Sequence, residues 1–448
     1  MATAEREETI EESTRTPAER VEDLLWPLTV VLVLIAPTHF SYALDPRHGP
    51  YILYADVFAG SIFLLWLATV IVRGRLREIV RPPAAIWAVI AVAALSALGA
   101  TSMMSAVVEI AKLGLYFVAV YALFADVLRG QHRLVVAAKA VAIAATLSIL
   151  AALYQYFTVD DIMDVSGAFT NRNYYSAYLV MVLPLLYGLA IWSQDTLHRA
   201  WFIGLVVVGS LTMLAGTQFW TLALVLLVIS ALKSLRALGF YLIGTTLLLV
   251  LIAVALPHNR EAVFTEVADP IERGEVFNVP VGEEPPTLVK KRWLEWHPAL
   301  VMLTDNFLFG VGPGNYQMHI GEQTNWGYVP NFRTIETGTN NVYLVIAASM
   351  GFTGLVAFLA WIGHFWRLAR KNWMQADDYW SKGLCWGLLG SISGIILVNL
   401  FADLLVRGTS LLWALVFAMI ASIAVRGFTG SSPTDEKDNL QQASGRTE

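Results

Sequence analysis

The sequence has little charge and almost no cysteine, and each shortage excludes a class of protein. Only 15% of its 448 residues are Asp, Glu, Lys or Arg, whereas 56% are hydrophobic. That balance is too apolar for a soluble domain of this length. The single cysteine, Cys385, excludes an intramolecular disulfide. The net charge of −5 says little about partners, because in a membrane protein the placement of charge matters more than its sum.

Several recognisable signals are also missing. The first 23 residues are acidic and lack the basic segment of a cleavable signal peptide, so we expect an acidic cytoplasmic tail over 1–23 and a second tail over 427–448. No internal repeat is evident. The turn from Gly310 to Gly314 lacks the lysine and hydroxyl residue that follow a nucleotide phosphate loop. His297 and His319 have no metal-ligand companions at useful spacing.

Long apolar runs are what the sequence does contain. They recur in lengths of about 17–25 residues, enough to cross a hydrocarbon core of ~30 Å as helix. We predict an all-α polytopic membrane protein with about 12 transmembrane helices. The predicted spans lie near residues 25–44, 51–72, 83–99, 106–128, 133–157, 174–192, 200–216, 217–232, 237–256, 341–366, 383–405 and 408–425. The chain then divides into an N-terminal bundle of about nine helices (24–256), a large loop domain (257–340) and three C-terminal helices (341–426).

The basic residues predict the orientation, because loops on the cytoplasmic side are enriched in Lys and Arg. One set of alternate loops carries most of them: Arg73, Arg75, Arg77, Arg81, Arg129, Arg133, Arg199, Lys233, Arg236, Arg367, Arg370, Lys371 and Lys382. The opposite short loops carry only Arg47, Arg172 and Arg407. This asymmetry predicts a multi-pass protein of a cytoplasmic membrane, with both termini in the cytoplasm and the 257–340 loop outside.

The long loop is rich in charge and aromatic residues. Lys290, Lys291 and Arg292 precede two tryptophans, Trp293 and Trp296, within a predicted helix over 288–304. Arginine suits a diphosphate, because its planar fork binds two oxygens and stays charged. The basic run is equally consistent with a solvated helix face, and the tryptophans with an interfacial belt rather than a sugar-stacking platform.

Charged residues inside or beside the predicted spans are further candidates, because charge in hydrocarbon is costly and usually faces a wet cavity. Asn399, Asp403 and Arg407 are four residues apart and would share one helix face. Arg172 stands between two amides at the start of the sixth span, where a helix cap is the alternative. Another pair, Glu109 and Lys112, is three residues apart and can pair within a helix.

Three segments together resemble the O-antigen ligase and polymerase superfamily of bacterial envelope glycan assembly. The first is 167–179, with its Gly-x-Phe-x-Asn-x-Asn-Tyr pattern; the second is 292–300 followed by 309–316; the third is 340–344 followed by 351–355. The resemblance implies a GT-C-like fold in which the helical bundle and a large periplasmic loop enclose a cavity. It implies a metal-independent glycosyltransferase without a cofactor, acting on undecaprenyl-diphosphate-linked glycan and a lipid or glycan acceptor. Membrane lipids are its surroundings, and no nucleic acid partner is expected.

The resemblance also implies roles for individual residues. Diphosphate or glycan binding is expected from Arg292, Arg172 and Arg407, with further substrate contacts from Lys291, Arg333, Gln218, Asp403 and Trp296. Asn340 and Asn341 are expected to orient the acceptor.

This sequence departs from the family pattern at two positions. Asn340 stands where the family has histidine before an asparagine, and Gln218 stands where an arginine is usual. An amide does not titrate near neutral pH, so Asn340 cannot replace a general base. Glu336 is the predicted substitute base, and His319 is the other candidate.

Three functional hypotheses therefore stand. The first is a glycosyltransferase of the ligase or polymerase type in the bacterial inner membrane, involved in lipopolysaccharide or other cell-envelope polysaccharide biosynthesis. The second, motivated by Asn340 and Gln218, is a non-catalytic relative that binds lipid-linked glycan as a subunit of envelope assembly machinery. The third is a secondary transporter, against which the missing repeat halves and the large outer loop argue.

Overall fold

A computed structural model describes residues 17–38, 41–43, 51–158, 165–169, 172–213, 218–236, 238–239, 241–244, 246, 288–316, 319, 341–402 and 409–426. Residues 17–192 form six of the described helices and one pair of short strands. In chain order these are α1 (Pro17–Ile35), β1 (Ser41–Ala43), β2 (Tyr51–Leu53), α2 (Tyr54–Val72), α3 (Ala84–Ala97), α4 (Met103–Val127), α5 (Gly130–Thr158) and α6 (Arg172–Trp192).

Residues 196–426 form six more of the described helices, one of them in the long loop. They are α7 (Thr196–Thr212), α8 (Gln218–Lys233), α9 (Leu288–Asp305), α10 (Val342–Gln375), α11 (Tyr379–Val398) and α12 (Thr409–Arg426). The helix predicted over 288–304 is therefore confirmed as α9. The ninth predicted span, 237–256, lies mostly outside the described residues.

The helices confirm an all-α polytopic membrane fold. Six described helices (α2, α4, α5, α6, α10 and α11) are long and apolar enough to cross a membrane, and four shorter apolar helices accompany them. The two strands are three residues each and pair antiparallel, with Tyr42 opposite Ile52. They lie between α1 and α2 in the chain and do not alter the fold class.

The first helix begins earlier than hydropathy predicts. It starts at Pro17 rather than near residue 25, and proline suits a first helical position because its missing N–H would have no partner there. Glu22, which the sequence places in an acidic tail, instead contacts Arg73 and lies 2.6 Å from Arg75. Hydropathy misses this turn of helix because ion pairs, not apolar contacts, hold it.

Close helix packing and a ring cluster form the core of the bundle. α6 and α11 approach so closely that a Cβ on Gly387 would lie 2.6 Å from the Leu185 carbonyl oxygen. Without a hydrophobic driving force in lipid, such small-residue contacts are what hold membrane helices together. Elsewhere Phe117 packs on Trp361, and Phe365 stacks on Phe417 at 4.3 Å between ring centroids. These rings join α4, α10 and α12.

Contacts between helix ends separate two faces of the bundle. The loop face is defined here as the ends at 96–105 (α3 to α4), 307–316 and 398–402 (after α11). The opposite face comprises the ends at 73–78, 126–133, 192–199, 233–236 and 373–382. Residues at the two faces make separate sets of hydrogen bonds and ion pairs. The docked end of the long loop, at 307–316, belongs to the loop face.

Candidate functional site

Helix α10 is broken near its start, and the break shapes the loop face. Gly351 has φ 69° and ψ −173°, which is outside the helical region, so residues 342–350 form a separate helical segment. At one end of this segment, Val342 N–H donates to the Asn399 carbonyl oxygen (3.0 Å) and Tyr343 Oη donates to that of Ile396 (2.7 Å). The segment thus runs from the end of α11 toward the end of α3.

A loop after α9 fits into the break; we call residues 306–316 the docked loop. Val311 N–H donates to the Ala348 carbonyl oxygen (3.0 Å), and Gly312 N–H to that of Ser349 (2.9 Å). In return, Phe352 N–H donates to the Phe307 carbonyl oxygen at 2.7 Å. These carbonyls and amides lose their partners within α10 at the break, so the docked loop satisfies them. The N–H groups of Val311 and Gly312 are therefore bonded to α10 and are not free to bind a phosphate.

Two polar side chains fasten the docked loop to the turn between α3 and α4. Ser96 Oγ reaches the carbonyl oxygens of both Phe309 and Ser349, the latter at 2.8 Å. Asn315 is fully buried; its Oδ1 accepts from Ser102 N–H at 2.6 Å, and its Nδ2 donates to the carbonyls of Ser102 (3.2 Å) and Pro313 (2.9 Å). Each buried amide group therefore has a partner, and the docked loop has one defined position.

Helix α9 is held against the first segment of α10 by a small apolar cluster. Ala299 and Met302 of α9 pack with Val311, Tyr316 and Ala348, all buried. The docked loop thus fixes the helix that precedes it.

Lys290, Lys291 and Arg292 are the third to fifth residues of α9, and its first turn has no acidic residue. This is the reverse of what a helix macrodipole favours near an N-terminus. The structure describes only the backbone of Lys291 and Arg292.

Three predicted residues gather around the end of α11. Asn341 caps α10 by accepting from Leu344 N–H at 3.1 Å. Gln218 is 1% exposed; its Nε2 donates to the Phe401 carbonyl oxygen at 3.2 Å. Arg172 begins α6, which packs along α11, and it makes polar interactions of its own. A further residue there, Asn399, is buried with its Oδ1 unpaired among the described residues.

The other described candidates lie beside the docked loop. His319 Nε2 lies 3.1 Å from Thr101 Oγ1, within hydrogen-bond distance. Trp296 and His297 are on the third turn of α9. Burial lowers the pKa of His297 below its ordinary value, which disfavours a positive charge on its imidazole. The candidates therefore form two groups on one face, one at the end of α11 and one beside the docked loop.

Five predicted residues lie outside the described part of the chain: Glu336, Asn340, Arg333, Asp403 and Arg407. Sequence reasoning singled out Asn399 but missed Ser96, Ser102 and Asn315. Only Asn315 carried a signal, as the polar residue that ends a Gly-Pro-Gly turn. The contacts of Ser96 and Ser102 span more than two hundred residues and leave no local pattern.

One ion pair on α4 lies next to this site. Lys112 Nζ is 2.7 Å from Glu109 Oε1, and the two side chains are 48% and 40% exposed. The intrahelical pairing that the spacing allows is thus observed. A Cβ on Gly314 would lie 2.9 Å from Glu109 Cγ, so the docked loop covers part of the glutamate. Within the described ranges, no cluster of three or more His, Cys, Asp or Glu residues is arranged for a metal ion.

Comparison with known proteins bears on this region directly. The family model described as O-antigen ligase matches residues 200–359. The match contains α8, α9, the docked loop and the break in α10, and it leaves the segment at 167–179 outside. No curated protein matches the chain.

Proposed function

The chain belongs to the O-antigen ligase and polymerase superfamily, and on that premise we propose that it is a glycosyltransferase of the bacterial inner membrane. It moves a glycan from undecaprenyl diphosphate to a lipid or glycan acceptor at the periplasmic face. The observation that carries the proposal is the start of α9. Three cations and no acid stand among its first five residues, in a helix that the docked loop holds against α10.

The start of α9 suits a diphosphate for an electrostatic reason. Cations at a helix N-terminus are disfavoured by the macrodipole, whereas a bound anion gains from both the cations and the helix end. Arg292 binds two phosphate oxygens at once, and Lys291 adds a second charge. Arg333, Arg172 and Arg407 complete the binding of diphosphate and glycan in this proposal, and Trp296 stacks on a sugar ring.

The chemistry then needs a base and a leaving group. The acceptor hydroxyl oxygen bonds to the anomeric carbon while the bond from that carbon to the diphosphate oxygen breaks. The hydroxyl proton passes to Glu336 or His319, and the electron pair leaves with undecaprenyl diphosphate. The cations stabilise the developing negative charge, so positioning and electrostatics supply most of the catalysis. Asn340, Asn341, Gln218 and Asp403 orient the acceptor and the glycan through hydrogen bonds.

A reconstituted transfer assay tests the proposal. The protein is placed in liposomes with undecaprenyl-diphosphate glycan and candidate acceptors, and free undecaprenyl diphosphate is measured. We expect acceptor-dependent release, lowered by about 10²-fold or more in Arg292→Ala, because a charge that stabilises the transition state is lost. Arg370→Ala removes the same charge from an exposed position on the opposite face and should leave the rate unchanged. Full activity of Arg292→Ala would contradict the assignment.

A non-catalytic relative is the second candidate, and the state of Gln218 favours it. The family arginine is replaced by an amide that is buried and bonded to the Phe401 carbonyl oxygen, so it adds no charge to the site. A binding subunit would hold the lipid-linked glycan saturably without releasing undecaprenyl diphosphate. It would also tolerate Glu336→Gln and His319→Ala, either of which an enzyme that uses that residue as its base would not.

A further inference from the structure

Four helix ends meet around a cavity on the opposite face, far from the glycan site. α6 ends at Trp192, α8 ends at Lys233, α10 ends just beyond Trp373, and α11 begins just before Lys382. The cavity between them has a volume of about 460 Å³ and is lined by these residues and Asp377. We call it the cationic cavity.

Positive charge is concentrated on one wall of this cavity. Lys233 Nζ lies 4.4 Å from the centroid of the Trp192 ring, and Lys382 Nζ lies 5.9 Å from the same ring. Arg199 is near enough to repel the Lys233 ammonium. Among the described residues, no carboxylate lies within ion-pair distance of either lysine. Two half-buried ammonium groups thus share one indole, and Asp377 is the acidic residue that lines the cavity with them.

The helix macrodipole favours a cation at the position of one of these lysines and opposes it at the position of the other. Lys233 occupies the last turn of α8, where the macrodipole favours a cation. Lys382 occupies the first turn of α11, where the macrodipole opposes a cation. The Trp192 ring is the contact that stabilises this second charge, and an anion in the cavity is the partner that would compensate it fully.

A second cavity is also lined by Trp192, and its surface is more apolar than that of the cationic cavity. Its volume is about 440 Å³ and its surface is mostly apolar, with Val135, Leu189 and Phe202 among its lining residues. Its acidic groups are already engaged. Asp195 caps α7 and contacts His198, and those hydrogen bonds hold the pKa of its carboxyl below the usual range. Asp378 caps α11 through Ser381.

We propose that the two cavities form a binding site for one anionic phospholipid. Its phosphate is held by Lys233 and Lys382, and an acyl chain lies in the apolar cavity. Basic pockets between helix ends on the basic side of a membrane protein are the usual sites for anionic headgroups. An apolar cavity adjoining the cations selects an amphipathic occupant over free phosphate. Trp192 and Tyr379, whose rings are 6.2 Å apart, supply the aromatic lining typical of the headgroup level. This site is independent of the proposed glycan transfer.

Native mass spectrometry of the full-length protein tests the inference. The protein is titrated with phosphatidylglycerol and, separately, with phosphatidylcholine in a neutral detergent. We expect saturable retention of phosphatidylglycerol, weakened about tenfold or more in the Lys233→Gln/Lys382→Gln variant. The matched control is Arg370→Gln/Lys371→Gln, which removes the same charge from the same face at residues that line neither cavity.

The outcomes separate the possible occupants. Equal weakening in both double variants would mean that only the overall positive charge of this face attracts the lipid, and it would overturn the proposal. Equal retention of phosphatidylglycerol and phosphatidylcholine would also overturn it. Displacement of phosphatidylglycerol by millimolar inorganic phosphate would show an anion site without lipid specificity and would also overturn it. If the double variant fails to fold, Lys382→Gln and Lys382→Arg replace it: the first should weaken retention and the second should restore it.

Discussion

Different interactions hold the helix ends together at the two faces of the bundle. At the loop face, neutral backbone hydrogen bonds join the docked loop to α10, as between Val311 and Ala348 or between Phe352 and Phe307. At the opposite face, ion pairs join the helix ends. Arg75 Nη1 is 2.6 Å from Glu22 Oε1, and its Nη2 is 3.7 Å from Asp126 Oδ2. Ion pairs thus connect these helix ends at the opposite face, and backbone hydrogen bonds connect the docked loop to α10 at the loop face.

The difference has a functional consequence. Ion pairing at the opposite face engages Arg75: burial lowers the pKa of Arg75, but Glu78, Asp126 and Glu22 together raise it above its ordinary value. At the loop face, the apolar cluster that holds α9 against α10 consists of uncharged residues: Ala299, Met302, Val311, Tyr316 and Ala348. Because α9 is held by uncharged contacts, the cations of the loop face are left for the anionic substrate of the proposed function.

The largest expected effect comes from closing the break in α10. In Gly351→Ala, the new Cβ would lie 2.3 Å from the Leu308 carbonyl in a backbone with φ 69°. Strain and overpacking should together destabilise the fold by about 3–5 kcal/mol. Thermal unfolding in detergent measures this loss. The control is Gly363→Ala in the same helix, where nothing lies within 4 Å, and it should stabilise by up to about 1 kcal/mol. Similar midpoints for the two variants would refute a docked break.

A smaller effect is expected at the opposite face. Asp126 is 5% exposed, contacts Arg129 and accepts from Trp66 Nε1 at 3.0 Å. Asp126→Asn keeps an acceptor for Trp66 but removes the charge that faces two arginines. We expect a loss of about 2–3 kcal/mol, below the value for a fully buried pair because the arginines are partly exposed. The comparison variant, Glu78→Gln, changes a 62% exposed group and should shift stability by about 0.5 kcal/mol or less.

The smallest expected effect tests the neutral docking itself. Asn315→Ala removes three side-chain hydrogen bonds at the loop face and should cost about 2 kcal/mol, mainly because Ser102 and Pro313 lose partners. Asn306→Ala, at an exposed position of the same loop, serves as its control and should be nearly neutral. Repeating both measurements in high salt sharpens the comparison. The Glu78→Gln effect should shrink with ionic strength, whereas the Asn315→Ala loss should stay constant. A salt-dependent Asn315 effect would break the distinction between the faces.

Parts of this molecule were predictable because their causes are local. Hydropathy predicted the membrane helices and the all-α polytopic fold, and composition predicted the helix over 288–304 that is observed as α9. The spacing of Glu109 and Lys112 allowed the pair that is observed. The start of α1 was misplaced, because the ion pairs of Glu22 with Arg73 and Arg75 are not visible as an apolar run.

By itself, the sequence determined that this chain crosses a membrane many times and carries one charged loop helix, because apolar length and helical periodicity act within a segment. Only the tertiary structure decided that the Gly-Pro-Gly turn docks into α10 at Gly351. It also decided that Asn341 and Gln218 meet around the end of α11 while His319 lies beside Thr101. Those outcomes depend on hydrogen bonds between residues up to 253 positions apart. Such bonds form only when packed helices bring their unsatisfied ends together.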